Sequence, residues 1–172
     1  MRQIIVICYA ILVAISCTEE KSDSTLPIVG MWELLEMNLV DSTGAESPFK
    51  GGMQGLLVYS EDGHVALHLS YSDYQNTALK IRNFTDTLTR EKLEYLTGTY
   101  HYMGDYEVLE MNSEDGKLTG TVQHTRRVHS NPNDWGKVVQ RSFEYRNDTL
   151  RMRPVEAVNS GIRLTWVRMK KE

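Results

Sequence analysis

The chain has 172 residues, 41% hydrophobic and 24% charged, with 19 Lys and Arg against 23 Asp and Glu for a net charge of −4. That is one domain's worth of sequence, too apolar for a disordered chain and long enough to bury a sizeable core. The acidic balance excludes nucleic-acid binding through bulk charge, and 4 Pro with 12 Gly exclude a collagen-like or linker-dominated chain.

Residues 1–16 read as an export signal. Arg2 precedes the apolar run 4–15, a length that suits a signal-peptide core and falls short of the ~20 residues a membrane-spanning helix needs. Val13-Ala14-Ile15-Ser16-Cys17 resembles a bacterial lipobox, with Ala14 where Leu is commonest. The resemblance implies lipidation of Cys17 and a lipoprotein held to the membrane by its N-terminal lipid, with the outer membrane as the expected address. Two acyl chains suffice for stable anchoring. Cys8 leaves with the signal, so the mature domain has neither thiol nor disulfide and rests on its packed core. Residues 17–27 are polar and aperiodic at first, a flexible tether. Glu19 and Glu20 resemble the acidic signals that follow the cysteine in some surface-exported lipoproteins, or serve only as solvated linker.

Residues 28–171 read as the folded domain. Short β-rich runs recur at about ten-residue spacing: 30–40, 54–60, 64–70, 99–103, 106–112, 117–128, 138–146, 149–154 and 162–170. Turn residues separate them, as in Glu61-Asp62-Gly63, Ser113-Glu114-Asp115-Gly116, Arg146-Asn147-Asp148 and Asn159-Ser160-Gly161. This spacing predicts an antiparallel sandwich or barrel of about 8–9 strands rather than βαβ units. One short helix is expected at 90–96, capped by Thr89 and ended by Gly98, with Leu93 and Leu96 placed to cover something apolar. The polar, aromatic-dotted stretch 71–88 reads as a loop or lid across one barrel end.

Strand parity locates the unusual side chains. Val139, Arg141, Phe143 and Tyr145 share a face, as do Leu118, Gly120, Val122, His124, Arg126 and Val128, and again Ile162, Leu164, Trp166 and Arg168. A charge on a buried face needs a partner or a ligand.

The ordered set Gly30-Met31-Trp32, Leu57-Val58-Tyr59, Gly63-His64-Val65, Gly98-Thr99-Tyr100, Gly104-Asp105-Tyr106, Thr121-Val122-Gln123-His124, Gln140-Arg141-Ser142-Phe143 and Leu164-Thr165-Trp166-Val167-Arg168 resembles the lipocalin-like domain family of small β-barrels. The segment 47–52 is a looser version of that family's entry to the second strand. The resemblance implies an up-and-down barrel with a cavity. It also implies that Trp32 on the first strand and Arg168 on the last meet at the closed end, where a cation–π contact worth ~0.5–2 kcal/mol plugs the floor.

The chemical readings then narrow. His64 and His68 share a strand face but lie about 13 Å apart, too far to hold one ion, so no metal is expected, and no cofactor motif is present. No nucleophile elbow or mature thiol supports covalent catalysis. His124 and Arg141 could face one cavity with Tyr100, Tyr102 or Tyr106 opposite, as an interior network, a ligand anchor or an acid–base pair. The loop Asn131-Pro132-Asn133-Asp134-Trp135 is a hairpin connection or a rim contact. The expected function is a membrane-anchored lipoprotein holding a small hydrophobic or amphipathic molecule, with Arg141 and His124 as polar anchor and Tyr100 and Tyr102 as wall. The alternatives are an isomerase- or cyclase-type enzyme, and an assembly lipoprotein with a filled core and an exposed apolar patch.

Overall fold

A computed structural model describes residues 26–82 and 87–170. The signal segment, Cys17 and most of the tether lie outside them.

Nine strands run in chain order: β1 (Gly30–Val40), β2 (Glu46–Pro48), β3 (Met53–Tyr59), β4 (His64–Tyr71), β5 (Tyr100–Glu114), β6 (Lys117–His129), β7 (Val138–Arg146), β8 (Thr149–Pro154) and β9 (Ile162–Arg168). All pairings are antiparallel, and consecutive strands from β3 to β9 are neighbours. β1 closes the sheet, because Trp32 pairs with Leu57 of β3 on one side and with Arg168 of β9 on the other. The result is the expected all-β up-and-down barrel, eight strands around, with β2 a short flap on the far end of β1. β2 had no sequence signal, since its three residues are all exposed. One helix, α1 (Arg90–Leu96), completes the fold, and the Thr89 side chain accepts from the Lys92 N–H as expected.

The turns follow their chemistry. Asn147 and Asp148 both take positive φ in the β7–β8 hairpin, and Asp115 with Gly116 does so between β5 and β6.

Three expectations are corrected. The runs 99–103 and 106–112 are one strand, β5, bent rather than broken by a bulge at Gly104. A Cβ there would stand 1.8 Å from the Thr125 carbonyl oxygen, so only glycine lets the two backbones approach. The same bulge makes Arg127 an extra residue in β6. Parity therefore flips, placing His129 inside with Arg126 and turning Val128 outward. Finally, the pair Leu93 and Leu96 covers less than expected: Leu93 is 51% exposed, Leu96 is only half-buried, and α1 has no fully buried residue.

The core fills the barrel around Trp32, Leu57, Tyr59, Tyr102, Val122, Leu150 and Trp166. Burial of large aromatic and aliphatic side chains, at roughly 25 cal/mol per Å² of apolar area, stabilises a fold without disulfides.

Candidate functional site

The interior has three levels, set by where each strand enters the barrel. The floor lies at the start of β1 and the end of β9. Trp32 is fully buried there, its Nε1–H donating to the Ile28 carbonyl at 2.8 Å. The Arg168 guanidinium carbon stands 4.2 Å from the Trp32 ring centroid, and Tyr145 meets that indole edge-on at 6.0 Å. Every arm of Arg168 has an acceptor: Nη1 donates to the Val29 carbonyl at 2.7 Å, Nη2 to the Pro27 carbonyl, and Nε to Asp148 at 3.1 Å. Gly30 explains the start of the strand. Its φ is +136°, and a Cβ would stand 2.5 Å from Arg168 Nη1.

Midway up, His124 of β6 is buried with both ring nitrogens engaged. Nε2 lies 2.7 Å from the Tyr59 hydroxyl and Nδ1 2.6 Å from the Tyr102 hydroxyl. A neutral imidazole has one donor and one acceptor. Among the described residues Tyr102 has no other acceptor, whereas the Tyr59 hydroxyl also reaches Met152 Sδ at 3.9 Å. The assignment that gives every proton a place is Tyr102 O–H to Nδ1, Nε2–H to Tyr59, and Tyr59 O–H to sulfur. Burial, reinforced by the charges of Arg141 and Arg126, lowers the His124 pKa to about 3. Burial likewise pushes both tyrosines above the ordinary phenol value. At neutral pH this trio is uncharged.

Beside it is a chamber of about 30 Å³ lined by Leu57, Leu67, Tyr102, His124, Arg141, Met152, Leu164 and Trp166. Trp166 is one of the lining residues, and its indole N–H is buried with no hydrogen-bond partner, alone among buried side-chain polar atoms of the described residues.

Above the chamber the barrel opens into a mouth cavity of about 270 Å³. Its walls are mostly apolar, with Met37, Phe49, Met53, Leu69, Ile162 and Leu164, and they also carry Tyr100, Thr97, Gly98, Thr99, Asn159 and a second cation, Lys50. Arg141, Leu67 and Leu164 line both spaces, so Arg141 stands at the junction. Its Nη1 donates to the Gln140 carbonyl at 2.7 Å and to Glu156 at 2.8 Å. Its Nε and Nη2 have no acceptor among the described residues.

The four expected anchor and wall residues are thus brought to one interior, at different depths: Tyr100 at the mouth, Arg141 at the junction, Tyr102 and His124 below. Tyr106 is held apart, its hydroxyl donating to the Ser60 carbonyl at 2.9 Å. Parity could not reveal Tyr59, Glu156 or the unmatched Trp166 N–H. Tyr59 comes from a strand far away in sequence, Glu156 from beyond the end of β8, and an unpaired donor is a property of the packed state alone.

A second polar cluster sits on β5 and β6. Arg126 Nη1 donates to the Tyr100 hydroxyl at 3.3 Å, and Nη2 lies 3.7 Å from Asp134. The Trp135 Nε1–H donates to the His129 carbonyl at 2.7 Å, and the Asn131 N–H to His129 Nδ1 at 2.8 Å. The loop 131–136 is therefore folded back onto the barrel. His64 pairs with Asp105 at 3.0 Å, and His68 stacks on His101 across β4 and β5 at 6.1 Å. No group of three or more metal-ligating side chains exists among the described residues.

The family model described as a lipocalin-like domain matches residues 29–169. Among solved structures, a redesigned β-barrel aligns at 11% identity with a TM-score of 0.35, covering 83% of this chain and 91% of its own. The comparison with curated proteins returned no match.

Proposed function

We propose that this chain, which belongs to the lipocalin-like domain family, holds one small amphipathic molecule in the mouth half of its barrel. The carrying observation is an apolar cavity of about 270 Å³ whose inner end meets a largely buried arginine with unmatched donors. An eight-stranded barrel has room for one small ligand, and a pocket with apolar walls and few polar groups takes its orientation from those groups. The apolar part of the ligand lies against Met37, Phe49 and Ile162, and its polar end turns toward Arg141. His124 and Tyr102 contribute by fixing the wall behind the arginine. With both nitrogens engaged and a pKa near 3, His124 is too weak a base at neutral pH to favour the isomerase or cyclase reading.

The same reading places the protein on a membrane through lipid on Cys17, supported by the lipobox-like sequence. Mass spectrometry of the native protein tests both parts. Denaturation releases a small amphiphile, and the N-terminal peptide carries acyl chains that Cys17→Ser removes. An empty barrel that binds no amphiphile overturns the first part, and an unmodified Cys17 the second.

One observation favours a second reading, assembly through the outer wall. Met31, Val58, Ala66, Met103 and Val128 pair in register across β1, β3, β4, β5 and β6 and form an outward apolar row. Met103 is 60% exposed and Val128 45%. A second copy packing there would show as concentration-dependent sedimentation, and a monomer at every concentration removes the reading.

A further inference from the structure

The mouth cavity explains a place for an apolar tail, but not the chamber below Arg141. That chamber holds a polar imbalance. An indole N–H can only donate, and the Trp166 N–H has no acceptor. Arg141 brings further open donors and a positive charge, answered from outside by Glu156 alone. The Tyr59 and Tyr102 hydroxyls are held by His124, and neither oxygen is within hydrogen-bond reach of the Trp166 N–H. The remaining lining is Leu57, Leu67, Met152 and Leu164, whose side chains offer no oxygen acceptor.

A buried donor without a protein partner is costly and rare, so this site calls for an oxygen acceptor, a water or the head of a ligand. About 30 Å³ admits one or two oxygen atoms and excludes a hydrocarbon chain.

We infer that the chamber is an oxygen subsite in which Trp166 Nε1–H and Arg141 together receive the carboxylate of a ligand whose tail lies in the mouth cavity. This rests on the binding function proposed above and narrows its ligand class to aliphatic or aryl carboxylates. A hydroxyl head matches less well, because it brings a proton that needs an acceptor and no charge to meet Arg141. Trp166 becomes a binding residue that sets head-group specificity. The barrel floor below it is a different environment, since the Trp32 N–H is already satisfied by the Ile28 carbonyl.

Calorimetry of the purified full chain with octanoate and octan-1-ol at neutral pH tests this. The wild type is expected to prefer octanoate, and Trp166→Phe, which keeps an aromatic ring and deletes the donor, to lose about tenfold in octanoate affinity while octan-1-ol changes little. In the wild type, the indole N–H resonance of Trp166 is expected to shift with octanoate and not with octan-1-ol, a readout independent of how the variant folds. Unchanged octanoate affinity in Trp166→Phe, or an unmoved resonance at saturation, overturns the subsite while leaving the mouth cavity as a tail site. Binding of neither probe overturns the cavity reading itself.

Discussion

The barrel has two places where an indole and an arginine border one space, the floor and the small chamber, and they are built in opposite ways. At the floor, Trp32 donates to Ile28 and lies 4.2 Å under Arg168, whose three arms reach Pro27, Val29 and Asp148. At mid-barrel, Trp166 donates to nothing, and Arg141 has only one nitrogen engaged. The residue types are the same and the burial is similar; what differs is whether the chain supplies the acceptors. Where it does, the pair ties the entry segment, the β7–β8 turn and the last strand into one closed end. Where it does not, the donors stay available to something else. Satisfied donors mark stability and unsatisfied ones mark recognition.

The contrast can be broken experimentally, most strongly at the floor. Trp32→Ala is expected to cost about 3–5 kcal/mol, since it empties a fully packed site. Arg168→Leu is expected to cost about 1–3 kcal/mol, by leaving the part-buried Val29 carbonyl without its donor and losing the ring contact. Urea unfolding measures both. A loss near zero in either would mean that the floor is not what closes the barrel.

The His124 trio gives the next largest effect, visible through pH. An unfolded histidine takes a proton below about pH 6.5, whereas folded His124 resists until about pH 3. The unfolded state then binds more protons, so stability falls as pH drops through this window, by up to about 1.4 kcal/mol per pH unit from this group. His124→Asn is expected to be less stable at neutral pH and to show a shallower pH dependence between those limits. Equal slopes for the two proteins would show that His124 is not held neutral.

The smallest stability effect belongs to Arg141. Its partner Glu156 is about one-third exposed, so Arg141→Leu leaves that carboxylate able to reach water and is expected to cost about 1 kcal/mol or less. Amphiphile affinity should drop by more than this. Unaltered affinity would remove Arg141 from the site.

The closure was legible through the resemblance to the lipocalin-like family, which implied that Trp32 and Arg168 meet. A glycine two residues before Trp32 and an arginine two residues after Trp166 are visible without coordinates, and both hairpin turns carry Asn, Asp or Gly where positive φ is required. Arg141 was legible from strand parity, as a charge in an apolar stripe. Three features were not. The Gly104 bulge reverses parity along β6, so Val128 and His129 exchange faces. α1 has an apolar spacing of which the fold leaves Leu93 exposed and only half-buries Leu96. The Trp166 N–H looks like any core indole until its surroundings are assembled strand by strand.

Thermal unfolding of the wild type, Arg168→Leu and Arg141→Leu, each with and without octanoate, tests the division between the two arginines most directly. The account predicts opposite responses. Arg168→Leu melts well below wild type yet keeps the ligand-induced rise, and Arg141→Leu melts close to wild type and loses that rise, since only a ligand of the folded state can stabilise it. The contradicting result is a shared response, with both variants losing stability alike and both keeping or lacking the octanoate effect.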